Sequence, residues 1–109
     1  MASDTPVLFE PTLLILISLS DRPKHGYAIM QDAQSLTGWE MRAGTVYGAL
    51  GRMERCGWIQ EVQTESYRRR PYALTPEGRD ELHRQLQILE TLTQEAQKRT
   101  KRKPIRRKA

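Results

Sequence analysis

The chain has 109 residues, 38% apolar and 6% aromatic, which allows one small aliphatic core and leaves no room for a second large one. Its net charge of +5 is uneven: residues 98–109 hold eight basic side chains and no acid, leaving ten basic and thirteen acidic, or −3, on residues 1–97. One cysteine, Cys56, excludes an intramolecular disulfide and fits a reducing compartment.

Residues 1–7 are expected to be a flexible terminus. The longest apolar stretch, Leu13 to Leu19 with Ser18 inside it, is far short of the ~20 residues a membrane span needs. Asp4 and Pro6 precede it and no basic segment does, so a signal peptide is not expected and a cytosolic location is. Pro11 suits the first turn of a helix running to about Leu19. Leu13, Leu14, Ile15, Leu16, Ile17 and Leu19 cover nearly its whole circumference, which places it at the centre of a core or a dimer interface. Pro23 ends the run.

His25-Gly26-Tyr27 opens a second helix, to about Leu36, with Tyr27, Ile29, Met30 and Ala33 as its apolar stripe and Gln31, Asp32 and Gln34 on its wet side. Thr37-Gly38 stops it. Trp39 to Arg42 reads as a short connection. A third helix is predicted from Thr45 to about Cys56, with Val46, Leu50 and Met53 inward at i, i+4 and i+7. Gly44 is its expected N-cap and Gly57 its stop. Cys56, beside apolar residues, reads as a small buried side chain; as a redox sensor it would lack a resolving thiol.

The period then changes. Trp58 to Gln63 reads as a strand, Thr64-Glu65-Ser66 as a turn, and Tyr67 or Arg68 to Leu74 as the returning strand, with Pro71 at an edge or bulge. Thr75-Pro76-Glu77 is a helix start: a capping threonine, proline at N1 and an acid in the first turn. The helix it opens runs to about Lys98, some 35 Å at about 1.5 Å per residue. Leu82, Leu86, Leu89, Leu92 and Ala96 line it, with Ile88 beside them. It either folds back on its own domain or dimerises. The basic run 98–109 (Lys98, Arg99, Lys101, Arg102, Lys103, Arg106, Arg107 and Lys108) reads as a disordered tail, attractive to any polyanion or merely solubilising.

Three helices, a hairpin and a long helix give a mainly α fold with a small β-hairpin wing: a winged helix-turn-helix over 8–75, a C-terminal dimerisation helix over 76–98 and a tail over 99–109. The third helix can enter a major groove. Thr45, Gly48, Ala49 and Arg52 are read as its outward residues. Gly48 and Ala49 let the backbone approach. Thr45 reaches a phosphate or base, or simply caps the helix. Arg52 reaches a guanine edge or a phosphate. Tyr47 offers its hydroxyl to a phosphate, or is a core aromatic with a wet tip. Gly48 costs the helix roughly 0.5–1 kcal/mol against alanine, which close approach to a ligand would offset. On the wing, Arg68 and Arg70 share one side and Arg69 takes the other, for phosphate or minor groove, or as charge that blunts an edge strand. Lys24, His25, Tyr27 and Arg42, around the ends of the second helix, are candidates for backbone contacts; His25 serves equally as a local cap.

Dimerisation is assigned to Leu13, Leu14, Ile17, Leu82, Leu86, Leu89, Leu92 and Ala96. Leu14, Ile17, Leu89 and Leu92 could also line a site for a small flat apolar or aromatic effector, with Trp39 or Trp58 stacked on it. An adaptor that binds protein through wing and tail is a third reading. Catalysis is not expected: His25 and His83 are 58 residues apart, no glycine-rich phosphate loop is present and Cys56 has no evident base. Neither a metal nor a cofactor is expected.

Three segments resemble the PadR family of transcriptional regulators: LLILISLSDRPKHGYAI at 13–29, GTVYGALGRMERCGWI at 44–59 and PYALTPEGR at 71–79. The resemblance covers about residues 8–97. It implies a winged helix whose C-terminal helix swaps with or packs on a twofold mate, and operator binding, usually as a repressor. By position it implies that Thr45 and Tyr47 form the T-x-Y of the recognition helix, that Arg69 and Arg70 form the basic wing, and that Tyr72 and Leu74 are structural at the wing exit. Gly44 stands where the family often has proline. The short C-terminal part resembles the smaller subfamily, without a large effector domain.

Overall fold

The computed structural model describes residues 10–64 and 70–101. Its elements are α1 (Pro11–Ser18), α2 (Gly26–Thr37), α3 (Ala43–Arg55), β1 (Ile59–Glu61), β2 (Tyr72–Leu74) and α4 (Pro76–Thr100). The expected 1–7 terminus, Arg68 and Arg69 of the wing, and the tail beyond Lys101 lie outside the described residues.

α1 is the hub. The Glu10 carboxylate accepts the Thr12 N–H at 3.0 Å and Pro11 fills the first turn. Leu14, Ile15, Leu16 and Leu19 are buried, Leu13 and Ile17 pack on the core from its edge, and α1 meets α2, α3 and α4. Leu14 and Leu82 therefore serve the protomer's own core, at 6% and 4% exposure, and not a mate as expected. Ile29, Ala33, Val46, Leu50 and Met53 complete the core from α2 and α3. So does Met41, from the segment read as mere connection; it is fully buried.

Helix ends follow local chemistry. His25 caps α2 through Nδ1, which accepts the Ala28 N–H at 3.3 Å, and Gly38 closes it at φ 75°. α3 begins two residues earlier than predicted. Its N-cap is Arg42, without a side-chain cap, and Gly44 lies inside the first turn. At its other end Gly57, at φ 78°, donates to the Glu54 carbonyl while Trp58 donates to the Met53 carbonyl, each at 3.0 Å. Only a residue that tolerates the left-handed region closes a helix this way. Cys56 caps α3 exposed to solvent, not buried as expected, because the chain turns away at Gly57.

β1 and β2 pair antiparallel, Ile59 opposite Leu74 and Glu61 opposite Tyr72. Among the described residues the ladder is shorter than the predicted strands. Trp58 leaves it to accept the Thr75 N–H at 3.0 Å, and past Glu61 Val62 donates to the Pro71 carbonyl at 2.8 Å. Lys24 adds an isolated bridge that the sequence did not announce, exchanging both backbone hydrogen bonds with Tyr72 at 2.8 and 3.0 Å. α4 starts as predicted: Thr75 Oγ1 accepts the Gly78 N–H at 3.0 Å and donates to the Gly57 carbonyl at 2.6 Å. Gly78 and Leu82 are its buried residues, and no described residue of its later turns is buried. No described helix is long and apolar enough to cross a membrane.

Lys24 is 7% exposed, which overturns its expected role as a surface contact. Its Nζ donates to the Ser18 carbonyl, to Asp21 Oδ1 at 2.7 Å and to Asp32 Oδ2 at 3.3 Å, and Ser18 Oγ donates to the same Asp32 oxygen at 2.7 Å. One ammonium thus ties the end of α1 to α2, while its backbone ties both to the wing. That hydrogen bond, with the ammonium charge, holds the Asp21 carboxyl below its ordinary range. A depressed carboxyl adds stability above its unfolded value, near pH 4, and loses it as pH falls through the lower folded value. Lys24→Met should cost about 2 kcal/mol at neutral pH through the lost charged hydrogen bonds. In thermal melts the gap from wild type should narrow as pH falls through the lowered folded value of Asp21. A gap that is constant with pH would show that stem packing, not the ion pairs, is what Lys24 supplies.

Candidate nucleic-acid interface

At 3.6 residues per turn, the side of α3 opposite Val46, Ala49, Leu50 and Met53 carries Gly44, Gly48, Gly51 and Arg55. Ala49 is fully buried, a correction to its outward assignment: it lies three residues beyond Val46 and shares that face. Counting Ala49 inward rotates the outer face and brings Arg55 to its centre, a residue the sequence reading passed over. The ridge is bare backbone. A Cβ at Gly44 would meet nothing within 4 Å, and one at Gly48 or Gly51 only the guanidinium of Arg52 or Arg55, at 3.7 and 3.5 Å. The two arginines lie along the groove their glycines leave.

Thr45 and Arg52 flank the ridge on one side and Tyr47 on the other. Thr45, Arg52 and Arg55 are exposed, and Tyr47 is 51% exposed. The Tyr47 ring lies against Gly26 at the start of α2; a Cβ there would sit 2.5 Å from Oη and 2.6 Å from Cζ. Gly26 thus seats the tyrosine across the helix-turn-helix corner. Tyr27 beside it is 61% exposed. His25 is half-buried with Nδ1 committed to its cap. Behind the site, burial foremost, and then the charges of Glu54 and Glu61, hold the Tyr72 phenol above its ordinary range, so it stays neutral.

Charge sorts the arginines. Arg70, Arg84 and Arg99 are paired with Glu61, Glu81 and Glu95. Arg22, Arg42, Arg52, Arg55 and Arg79 form no ion pair among the described residues, and of these Arg42, Arg52 and Arg55 are exposed on α3 or at its cap. Unpaired guanidinium groups around a bare helix ridge suit phosphate oxygens and guanine edges. Trp39 and Trp58 are half-buried and pack against the core.

The outer half of α4 has a different character. Leu86, Ile88 and Leu92 are 40%, 47% and 60% exposed, Leu89 is half-buried and Ala96 exposed. Arg84, Gln87, Ile88, Thr91 and Leu92 line a shallow groove there. A helix with this much uncovered leucine is unusual for a surface that meets only water.

Known proteins share this arrangement. A 37.1 kDa protein of transposon Tn4556 from Streptomyces fradiae is 37% identical over 81 residues, 74% of this chain; the match spans only 23% of that relative's length. A PadR family transcription regulator from Clostridium difficile, 27% identical, superposes with a TM-score of 0.72 over 81% of this chain and 95% of its own. A transcriptional regulator from Clostridium thermocellum, 25% identical, does so with 0.75 over 90% and 97%. Residues 15–84, from α1 through the buried start of α4, match the PadR-like transcriptional regulator family. The chain belongs to the PadR-like family of transcriptional regulators and is a winged-helix, DNA-binding protein.

Proposed function

We propose that the protein is a repressor that binds an inverted-repeat operator as a homodimer in the cytoplasm. The three unpaired arginines about the glycine ridge of α3 carry this reading. α3 enters the major groove with Arg52 and Arg55 toward base edges. Thr45, Tyr47, Arg42, Tyr27 and His25 hold the flanking phosphates, and the wing, with Arg68, Arg69 and Arg70, follows the backbone. The DNA-binding unit is 8–75 and the dimerisation helix 76–98. Leu86, Leu89, Leu92 and Ala96, with Leu13 and Ile17 beside α1, form the seam to the mate. The seam sets two α3 helices about one helical turn of DNA apart, or a multiple of it. The run 99–109 adds charge toward phosphate without sequence preference, on a chain whose other residues are net acidic.

Arg52→Ala and Arg55→Ala should each lower affinity for the operator by about 10- to 100-fold and for random duplex much less. Fluorescence anisotropy with fragments selected from the source genome measures both. A wild-type protein that binds no duplex at about 50 mM salt, where phosphate contacts are strongest, would overturn the proposal.

A further inference from the structure

Among the described residues the arginines of α3 have no ion-pair partner, whereas Arg70 of the wing has one. Arg70 Nη1 lies 3.6 Å from Glu61 Oε1 across the hairpin, with the two side chains 72% and 40% exposed. The separation exceeds a hydrogen bond and involves one oxygen, so charge holds the pair without fixing its geometry. The two ends differ in freedom. Glu61 closes β1 in register with Tyr72, and Tyr72 is itself bonded through both backbone groups to Lys24. The carboxylate is therefore carried on a paired strand, whereas Arg70 precedes β2 and lies outside the strand ladder described.

We propose that Glu61 is a brake on the wing's hold on duplex DNA. It acts twice. It occupies Arg70 in the free protein. When Arg70 turns to a phosphate, the carboxylate is left beside that phosphate, and the like charges repel. The brake is blind to sequence because it bears on the backbone of the duplex and not on base edges. This inference rests on the DNA-binding surface proposed above and adds a residue that tunes it.

Glu61→Gln keeps the shape of the side chain and removes its charge. We expect it to raise affinity for operator and random duplex alike, about 3- to 10-fold at low salt, and to steepen the salt dependence by up to about one released counterion. In an Arg70→Gln background the gain should fall to half or less, since only the repulsion of phosphate remains. Thermal melts of each variant establish that all are folded. Unchanged or weaker binding by Glu61→Gln overturns the brake, as does an equal gain with and without Arg70. If wild type binds duplex and Arg52→Ala weakens it, either result removes the brake alone. If no variant and no wild type binds any duplex, the surface on which it rests falls as well.

Discussion

Gly78→Ala is expected to be the most damaging single-methyl change in the protein. A Cβ at Gly78 would overlap the Trp58 carbonyl oxygen, with the carbonyl carbon 2.8 Å and the Trp58 Cα 3.1 Å away. These atoms are backbone, and they cannot swing aside as a side chain would. The same carbonyl accepts the Thr75 N–H, and the next residue, Ile59, begins β1. Making room means lifting the first turn of α4 off the hairpin, with loss of the Thr75 cap and of the Leu82 contact behind it. Overpacking in a core that can adjust costs about 1–3 kcal/mol; here the upper end, about 3 kcal/mol, is expected. For a domain of this size that lowers the midpoint by more than about 10 °C in a thermal melt followed by circular dichroism. Gly44→Ala makes the comparison. Nothing lies within 4 Å of its Cβ, so it should melt at or above wild type, by up to about 1 kcal/mol, as glycine-to-alanine changes in helices do. If Gly78→Ala melts with Gly44→Ala, the α4–hairpin junction is softer than its geometry states.

The second large effect is expected on the outer turns of α4. Replacing Leu89 and Leu92 together by glutamate should leave a folded monomer that has lost operator binding. Beyond Leu82, no described residue of α4 is buried in its own protomer, yet the helix continues to Thr100. An isolated helical segment of that length is marginal in water unless an apolar face is covered. Here the uncovered face is leucine and isoleucine, and a second copy offers the same face in return. The substitutions place charge where apolar groups would meet and touch nothing in the core, so the fold should survive. Two half-site contacts then cease to reinforce each other, and operator affinity should drop 100-fold or more, the usual scale of lost bivalency. Sedimentation equilibrium and anisotropy on the same samples test both halves of the statement. A variant that remains dimeric would mean that the mate is held elsewhere.

The sequence disclosed what local chemistry dictates. Thr75-Pro76-Glu77 opens α4, Gly38 and Gly57 end α2 and α3, and the apolar periods of α2 and α3 set which side each turns inward. What it hid was mostly long-range. Lys24 is polar, lies in a loop and precedes a histidine, and nothing local says that Ser18, Asp21 and Asp32 converge on it. The bridge between Lys24 and Tyr72 joins residues far apart in sequence, so no alternation of side chains marks it. Met41 sits in a segment too short to show a period. Ala49 was misplaced because three inward residues define a narrower arc than four, and a small apolar residue suits either side of that arc. The same error concealed Arg55. Leu14 and Leu82 were given to a mate because an all-apolar helix and a leucine repeat look alike whether the partner is the same chain or another.

The junction at Thr75 has a mechanical consequence. Through one hydroxyl and one carbonyl, the end of α3, the base of the wing and the start of α4 are pinned within a single turn of each other. α4 then behaves as a rigid arm about 37 Å long at 1.5 Å per residue. A tilt of about 10° at its root sweeps the far tip by about 6 Å, comparable to a full helical pitch. Whatever grips that tip therefore steers α3 without touching it.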